Sequence, residues 1–215
     1  YLEELAHGAK YYDGDRPVDP LDEFIKNGVN YMRIRIWNDP HSPDGEPYLA
    51  GTTDLDNYVK LGKLAIAKGY HLYMDLHYSD FWADPGKQFV PKAWEGYTLD
   101  ELVKAVYSFT KHCLEVAKRE GVAPEMIQVG NEITNGILWP FGKLWMDDKK
   151  LFSHIFFTFC AIFKTSFSSA SKINEQFKCK CDDTYFPLLT CPSTVNISSD
   201  ASFPSFNGFI FLTLV

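Results

Sequence analysis

GVAPEMIQVGNE, residues 121–132, decides the fold. A glycine opens it, Met126, Ile127 and Val129 make a short apolar run, and Asn131 and Glu132 close it. A run this short, entered from a glycine just past a helical pattern, is a buried strand whose far end is polar. An acid at a strand tip is badly placed for packing and well placed for chemistry.

The same unit stands twice upstream. A helical pattern from Leu21 through Phe24 and Ile25 stops at Gly28 and leads into VNYMRIRIW (29–37). A second, Thr53 to Lys68, carries Leu55, Tyr58, Val59, Leu64 and Ala65 on one face, stops at Gly69 and leads into YHLYMDLHY (70–78). The third, Thr98 to Glu120, carries Leu99, Leu102, Val103, Val106 and Cys113 and stops at Gly121. Glycine is the expected stop, because it takes the left-handed conformation without a Cβ penalty. Strands separated by helices are parallel strands with crossover connections. The open choices are a doubly wound sheet and a (β/α)₈ barrel. No Gly-rich phosphate turn follows any strand, which weakens the nucleotide-binding option. Polar residues follow instead: Asn38 and Asp39, then His77 and Asp80, then Asn131 and Glu132. Barrel enzymes build their sites from such C-terminal strand ends.

Alternation assigns the faces. In YMRIRIW, Met32, Ile34 and Ile36 share one side and Arg33 and Arg35 the other. With the apolar set against the helices, both arginines face the barrel lumen, where uncompensated guanidinium groups are costly, so carboxylates are expected nearby. Asp75, which shares its parity with His77, is one candidate partner, as a structural salt bridge.

Composition bounds the rest. The chain has 215 residues, 46% hydrophobic and 23% charged, enough to bury a real core. Its net charge of −7 argues against a nucleic-acid surface, which concentrates Lys and Arg. All of that excess lies in residues 1–143; residues 144–215 hold six basic and six acidic residues. They also hold 12 of the 17 Phe, 4 of the 5 Cys and a single glycine, Gly208. Two kinds of sequence are joined near residue 145. The apolar run 151–163 is broken by Ser153 and His154 and is shorter than the ~20 residues a membrane span needs, so no membrane partner is expected. Cys160, Cys179, Cys181 and Cys191 lack zinc-site spacing, and no metal or other cofactor is expected. No basic-then-apolar secretory leader opens the chain.

NYMRIRIWNDP (30–40), DLHYSDFWADPGKQ (75–88), PKAW (91–94) and QVGNEITNGILWP (128–140) together resemble glycoside hydrolase family 53, the arabinogalactan endo-β-1,4-galactanases, over about residues 1–145. The resemblance implies a retaining (β/α)₈ glycosidase in which VNYMRIRIW, YHLYMDLHY and MIQVGNE are strands two to four. It implies that Glu132 is the general acid/base and that Asn131 binds the sugar hydroxyl next to the scissile bond. Such an enzyme sets two carboxyl groups about 5 to 5.5 Å apart, one protonating the leaving oxygen and the other forming a glycosyl-enzyme intermediate. The donor must keep its proton near neutral pH and later serve as base toward water. Arg33 and Arg35 are expected at the substrate, Arg35 nearer the tip; His77 is a further polar candidate, and Asp80 a weaker one that loop capping explains nearly as well. Trp82, Trp94 and Trp139 offer faces for pyranose rings. The expected partner is a β-1,4-galactan polysaccharide, acted on outside the cell by a monomer.

Two departures qualify the resemblance. In the family the nucleophile is a second Glu near the end of strand seven, and the only Glu after Glu132 here is Glu175, with no apolar strand before it, so the nucleophile is expected to be absent. Residues 146–215 do not repeat the helix-Gly-strand unit, and they are expected to form an unrelated, poorly ordered tail, of frameshift or intron origin. The fold expected is therefore a partial barrel of strands two to four with open edges. The alternative function is an inactive barrel fragment that binds carbohydrate weakly through its tryptophans. The sequon at Asn196 carries little weight in such a tail.

Overall fold

A computed structural model describes residues 1–143 together with the backbone of two short strands, Thr194–Asn196 and Phe209–Phe211. A short helix α1 (Leu2–Ala6) and an antiparallel hairpin of β1 (Tyr11–Asp13) and β2 (Arg16–Val18) open the chain. Three helix–strand units then follow: α2 (Pro20–Lys26) with β3 (Tyr31–Ile36), α3 (Leu55–Ala67) with β4 (His71–Leu76), and α4 (Leu99–Arg119) with β5 (Met126–Val129).

Each helix of these three units begins on a side-chain cap. Asp19 accepts from the Leu21 amide, with Pro20 at the first helical position. Asp54 accepts from the Asn57 amide. Thr98 and Glu101 form a reciprocal capping box on α4. The helices run out before Gly28, Gly69 and Gly121, whose φ angles are +85°, +94° and +74°. These are the left-handed stops the sequence calls for.

β3 and β4 pair in parallel, as do β4 and β5, with Arg35, Asp75 and Gln128 at one level. Alternate residues Ile34, Ile36, Leu72, Met74, Leu76, Ile127 and Val129 are buried in one cluster with Tyr58, Ala65, Leu102, Val106 and Cys113 from the helices. Leu64, expected in that cluster, is 37% exposed. The buried face of α3 is set by Tyr58, Gly62 and Ala65, and Leu64 lies about 120° around the helix from it. Gly62 has a packing reason: a Cβ there would stand 3.1 Å from the Val122 Cβ and 3.2 Å from Leu72.

Two short strands of the tail join the sheet. β7 (Phe209–Phe211) pairs in parallel with β5, and β6 (Thr194–Asn196) pairs antiparallel with β7, giving the order β3-β4-β5-β7-β6. The β5 edge, expected to be open, is thus covered by backbone pairing that an FIF run is short enough to supply without a preceding helical pattern. Cys160, Cys179, Cys181, Cys191, Glu175 and the run 151–163 lie outside the described residues. Among the described residues no helix is long and apolar enough to cross a membrane, and no cluster of three or more His, Cys, Asp or Glu could hold a metal ion.

One buried bond ties the second unit to the third. The Tyr58 hydroxyl donates to the Val122 carbonyl at 3.0 Å. Tyr58→Phe should lower the unfolding free energy by about 1–2 kcal/mol, the cost of an orphaned buried carbonyl; a thermal melt matching the parent chain would show that this carbonyl has another partner.

Candidate active site at the strand tips

The polar groups that alternation assigns to the inner face meet around Asp75. Its carboxylate is fully buried, and Oδ2 accepts from Arg33 Nη2 at 2.7 Å and from His77 Nε2 at 2.9 Å. The Trp37 indole N–H lies 3.1 Å from His77 Nδ1. An indole nitrogen can only donate, so Nδ1 accepts and the ring proton sits on Nε2, aimed at Asp75. Arg33 reaches on to Gln128 Oε1 (3.2 Å) and to Asn131 Oδ1 (2.7 Å). The Tyr73 hydroxyl also donates to Gln128 Oε1, at 2.7 Å. One guanidinium thus joins the tips of β3, β4 and β5.

Arg35 meets no such partner. Its Nε is buried without a hydrogen bond, and its guanidinium carbon lies 4.1 Å from the Trp82 ring centroid and 5.6 Å from that of Trp37. The carboxylate expected beside this arginine is replaced by two indole faces, and cation–π attraction offsets part of the desolvation. Burial lowers the Arg35 pKa from its ordinary value, against the opposing pull of Glu3 and Asp75. Trp82 is 37% exposed and also packs beside His77.

Glu132 follows β5 in a bend. Gly130 (φ +78°) turns the chain, Asn131 is buried, and Glu132 takes a left-handed conformation at φ 50°, ψ 48° with its residue partly exposed. A non-glycine residue there costs of order 1–2 kcal/mol. Asn131 is fixed on both sides of its amide: Oδ1 accepts from Arg33 and from Gln128 Nε2 (3.2 Å), while Nδ2 donates to the Ala83 carbonyl at 2.8 Å.

Two expected substrate contacts are placed elsewhere. Trp94 is 8% exposed and packs edge-on against Phe109 at 6.0 Å, a core position that leaves no face for a sugar. Asp80 is a loop clamp: Oδ1 accepts from the Asp39 amide (3.0 Å) and Oδ2 from the Lys92 amide (2.7 Å). Burial raises its pKa, and these bonds partly oppose the shift. Trp139 is partly exposed, with its N–H on the Asn135 carbonyl and Lys143 Nζ 4.4 Å from its ring centroid.

Sequence reasoning missed Gln128, Trp37 and Gln88. Gln128 was open to detection, since a lone amide inside MIQV has the parity of the lumen-facing set. Trp37 ends its strand as an apolar residue and gives no sign of the bond it makes. Gln88 acts on residues more than forty positions away.

The family model for glycosyl hydrolase family 53 matches residues 1–178, a span that passes the boundary expected near 145. An endo-beta-1,4-galactanase of Bacillus subtilis (strain 168) is 47% identical over 130 residues, which cover 60% of this chain and 30% of that protein. A probable arabinogalactan endo-beta-1,4-galactanase A of Aspergillus terreus is 43% identical over 142 residues, 66% of this chain and 38% of that protein. Among solved structures, the Ignisphaera aggregans GH53 catalytic domain superposes with a TM-score of 0.65 at 40% identity, covering 76% of this chain and 45% of that one. A structure of fungal beta-1,4-galactanases gives 0.63 at 28% identity, covering 77% of this chain and 45% of that one. The fold is therefore part of a (β/α)₈ barrel. The chain spans roughly a third of the curated relatives it matches, 30% to 38% in the two cases given.

The Asp75 junction makes a stability prediction. Asp75→Ala should cost about 3 kcal/mol, the low end for breaking a buried ion pair, because Arg33 is 44% exposed and can turn to water. Urea unfolding measures this, and a loss under 1 kcal/mol would mean that the Arg33 bonds to Gln128 and Asn131 suffice without the carboxylate.

Proposed function

Since the chain belongs to glycosyl hydrolase family 53, we propose that it carries the acid/base half of an endo-acting, retaining β-1,4-galactanase. The observation that carries this reading is Glu132, in a left-handed bend at the C-terminal end of a parallel barrel strand, next to Asn131, which Arg33 of the Arg33–Asp75–His77 junction holds. In this reading the Glu132 carboxyl protonates the glycosidic oxygen as the bond breaks, and its carboxylate then draws a proton from the attacking water. The amide proton of Asn131 that does not go to Ala83 is the donor for the neighbouring sugar hydroxyl. His77, buried in the Asp75 junction, supports the floor from beneath, Arg35 lies against Trp82, and Trp82 and Trp139 supply the apolar faces for pyranose rings. The substrate is the β-1,4-galactan side chain of pectin, met outside the cell, and the composition break near residue 145 supports a barrel part of about 1–145 followed by a tail of different composition.

A second reading, an inactive fragment that at most binds carbohydrate weakly, is favoured by one observation. The only Glu after Glu132 is Glu175, so the chain offers few carboxylates for the nucleophile's place.

Reducing-end release from β-1,4-galactan separates the two. Turnover that vanishes in Glu132→Gln supports the galactanase reading; no release by the parent chain supports the fragment. For an active chain, Glu132→Ala should spare aryl galactosides with good leaving groups far more than galactan, because only a poor leaving group needs the proton. Equal losses on both substrates would tell against the acid role.

A further inference from the structure

Gln88 lies in the loop after β4, 2% exposed, with no charge and no route to a substrate. Its side-chain nitrogen donates to the Asn131 carbonyl at 2.8 Å and sits 3.3 Å from the Glu132 carbonyl and 3.2 Å from that of Asp84. Its own carbonyl accepts from the Trp139 amide at 2.7 Å. The same loop supplies the Ala83 carbonyl that holds the Asn131 side chain. The loop is itself rigid: Asp84 and Lys87 exchange backbone bonds at 2.9 and 3.0 Å, and the Gly86 amide donates to Asp84 Oδ1 at 2.8 Å.

Two of the three carbonyls that Gln88 Nε2 reaches have a particular relation to Glu132. The Asn131 carbonyl belongs to the peptide plane before the Glu132 Cα, and the Glu132 carbonyl to the plane after it. Fixing both planes fixes φ and ψ of Glu132, and so the direction of its Cα–Cβ bond. That residue sits in a sparsely populated left-handed well, from which relaxation would swing the carboxyl by ångströms. A primary amide suits the task, since one uncharged nitrogen carries two donors; a carboxylate would oppose both carbonyls, and an ammonium would bring a buried charge.

We propose that Gln88 is a positioning residue: it locks the two peptide planes around Glu132 and thereby aims the acid/base carboxyl. The inference rests on the galactanase reading for its consequence in catalysis, and on the geometry alone for the lock. Through its backbone it also ties Trp139 to the same bend.

Gln88→Met in the full chain keeps the length and removes the donors. Turnover on galactan should fall by about 10²-fold at little changed KM, the scale of an ångström of misplacement. Turnover on an aryl galactoside with a good leaving group should fall far less, because the lost contribution is proton delivery. A merely structural residue would lower both alike, and equal losses overturn the proposal. The amide–Hα coupling of Glu132, read by NMR, should leave its left-handed value in Gln88→Met; an unchanged value overturns the lock. A parent chain that releases no sugar, with a Glu132 coupling that still shifts in Gln88→Met, overturns the galactanase reading and supports the lock. Should the variant not fold, through-hydrogen-bond coupling from Gln88 Nε2 to the Asn131 carbonyl carbon in the parent chain decides, and its absence overturns the proposal.

Discussion

One carboxylate oxygen holds the site together. Asp75 Oδ2 accepts from Arg33 on one neighbouring strand and from His77 two residues along its own, and Arg33 carries the connection on to Gln128 and Asn131. A fully buried carboxylate costs several kcal/mol in desolvation, offset only by close, oriented donors. Its neighbours therefore have little freedom: moving Arg33 or His77 would strand the charge. Rigidity at the strand tips follows from this electrostatic constraint as much as from the apolar cluster on the other face of the sheet.

The second arginine obeys a different rule. Arg35 stands level with Asp75 across the β3–β4 pair, yet stacks on Trp82 and Trp37 and keeps its Nε unpaired. Guanidinium is planar and weakly hydrated, so an indole face can shelter it in a buried site. Two side chains alike in sequence thus divide the work. Arg33 ties the tips together through hydrogen bonds, and Arg35 fixes the position of the exposed Trp82.

The loops complete the arrangement by backbone capture. Asp80 takes the amides of Asp39 and Lys92 and so pins the β3 loop to the β4 loop. Gln88 takes the carbonyls around Glu132 and pins the β4 loop to the β5 bend. Strained left-handed conformations such as that of Glu132 persist only where surrounding contacts over-determine them. Gln88 supplies such contacts at Glu132.

The sequence by itself determined the parallel order of the strands, the glycine stops of the helices, the shared face of Arg33 and Asp75, and the placing of Glu132 at a strand end. All of these depend on periodicity or on residues a few positions apart, where local sterics and capping decide. Tertiary structure alone decided that Arg35 rests on indoles and not on a carboxylate, that Trp94 is core, that Asp80 clamps loops, that β7 covers the β5 edge, and that Gln88 reaches Glu132. These outcomes depend on where separate loops meet. A side chain's partner across 40 residues is set by strand register and loop path, neither of which the spacing of residue types encodes.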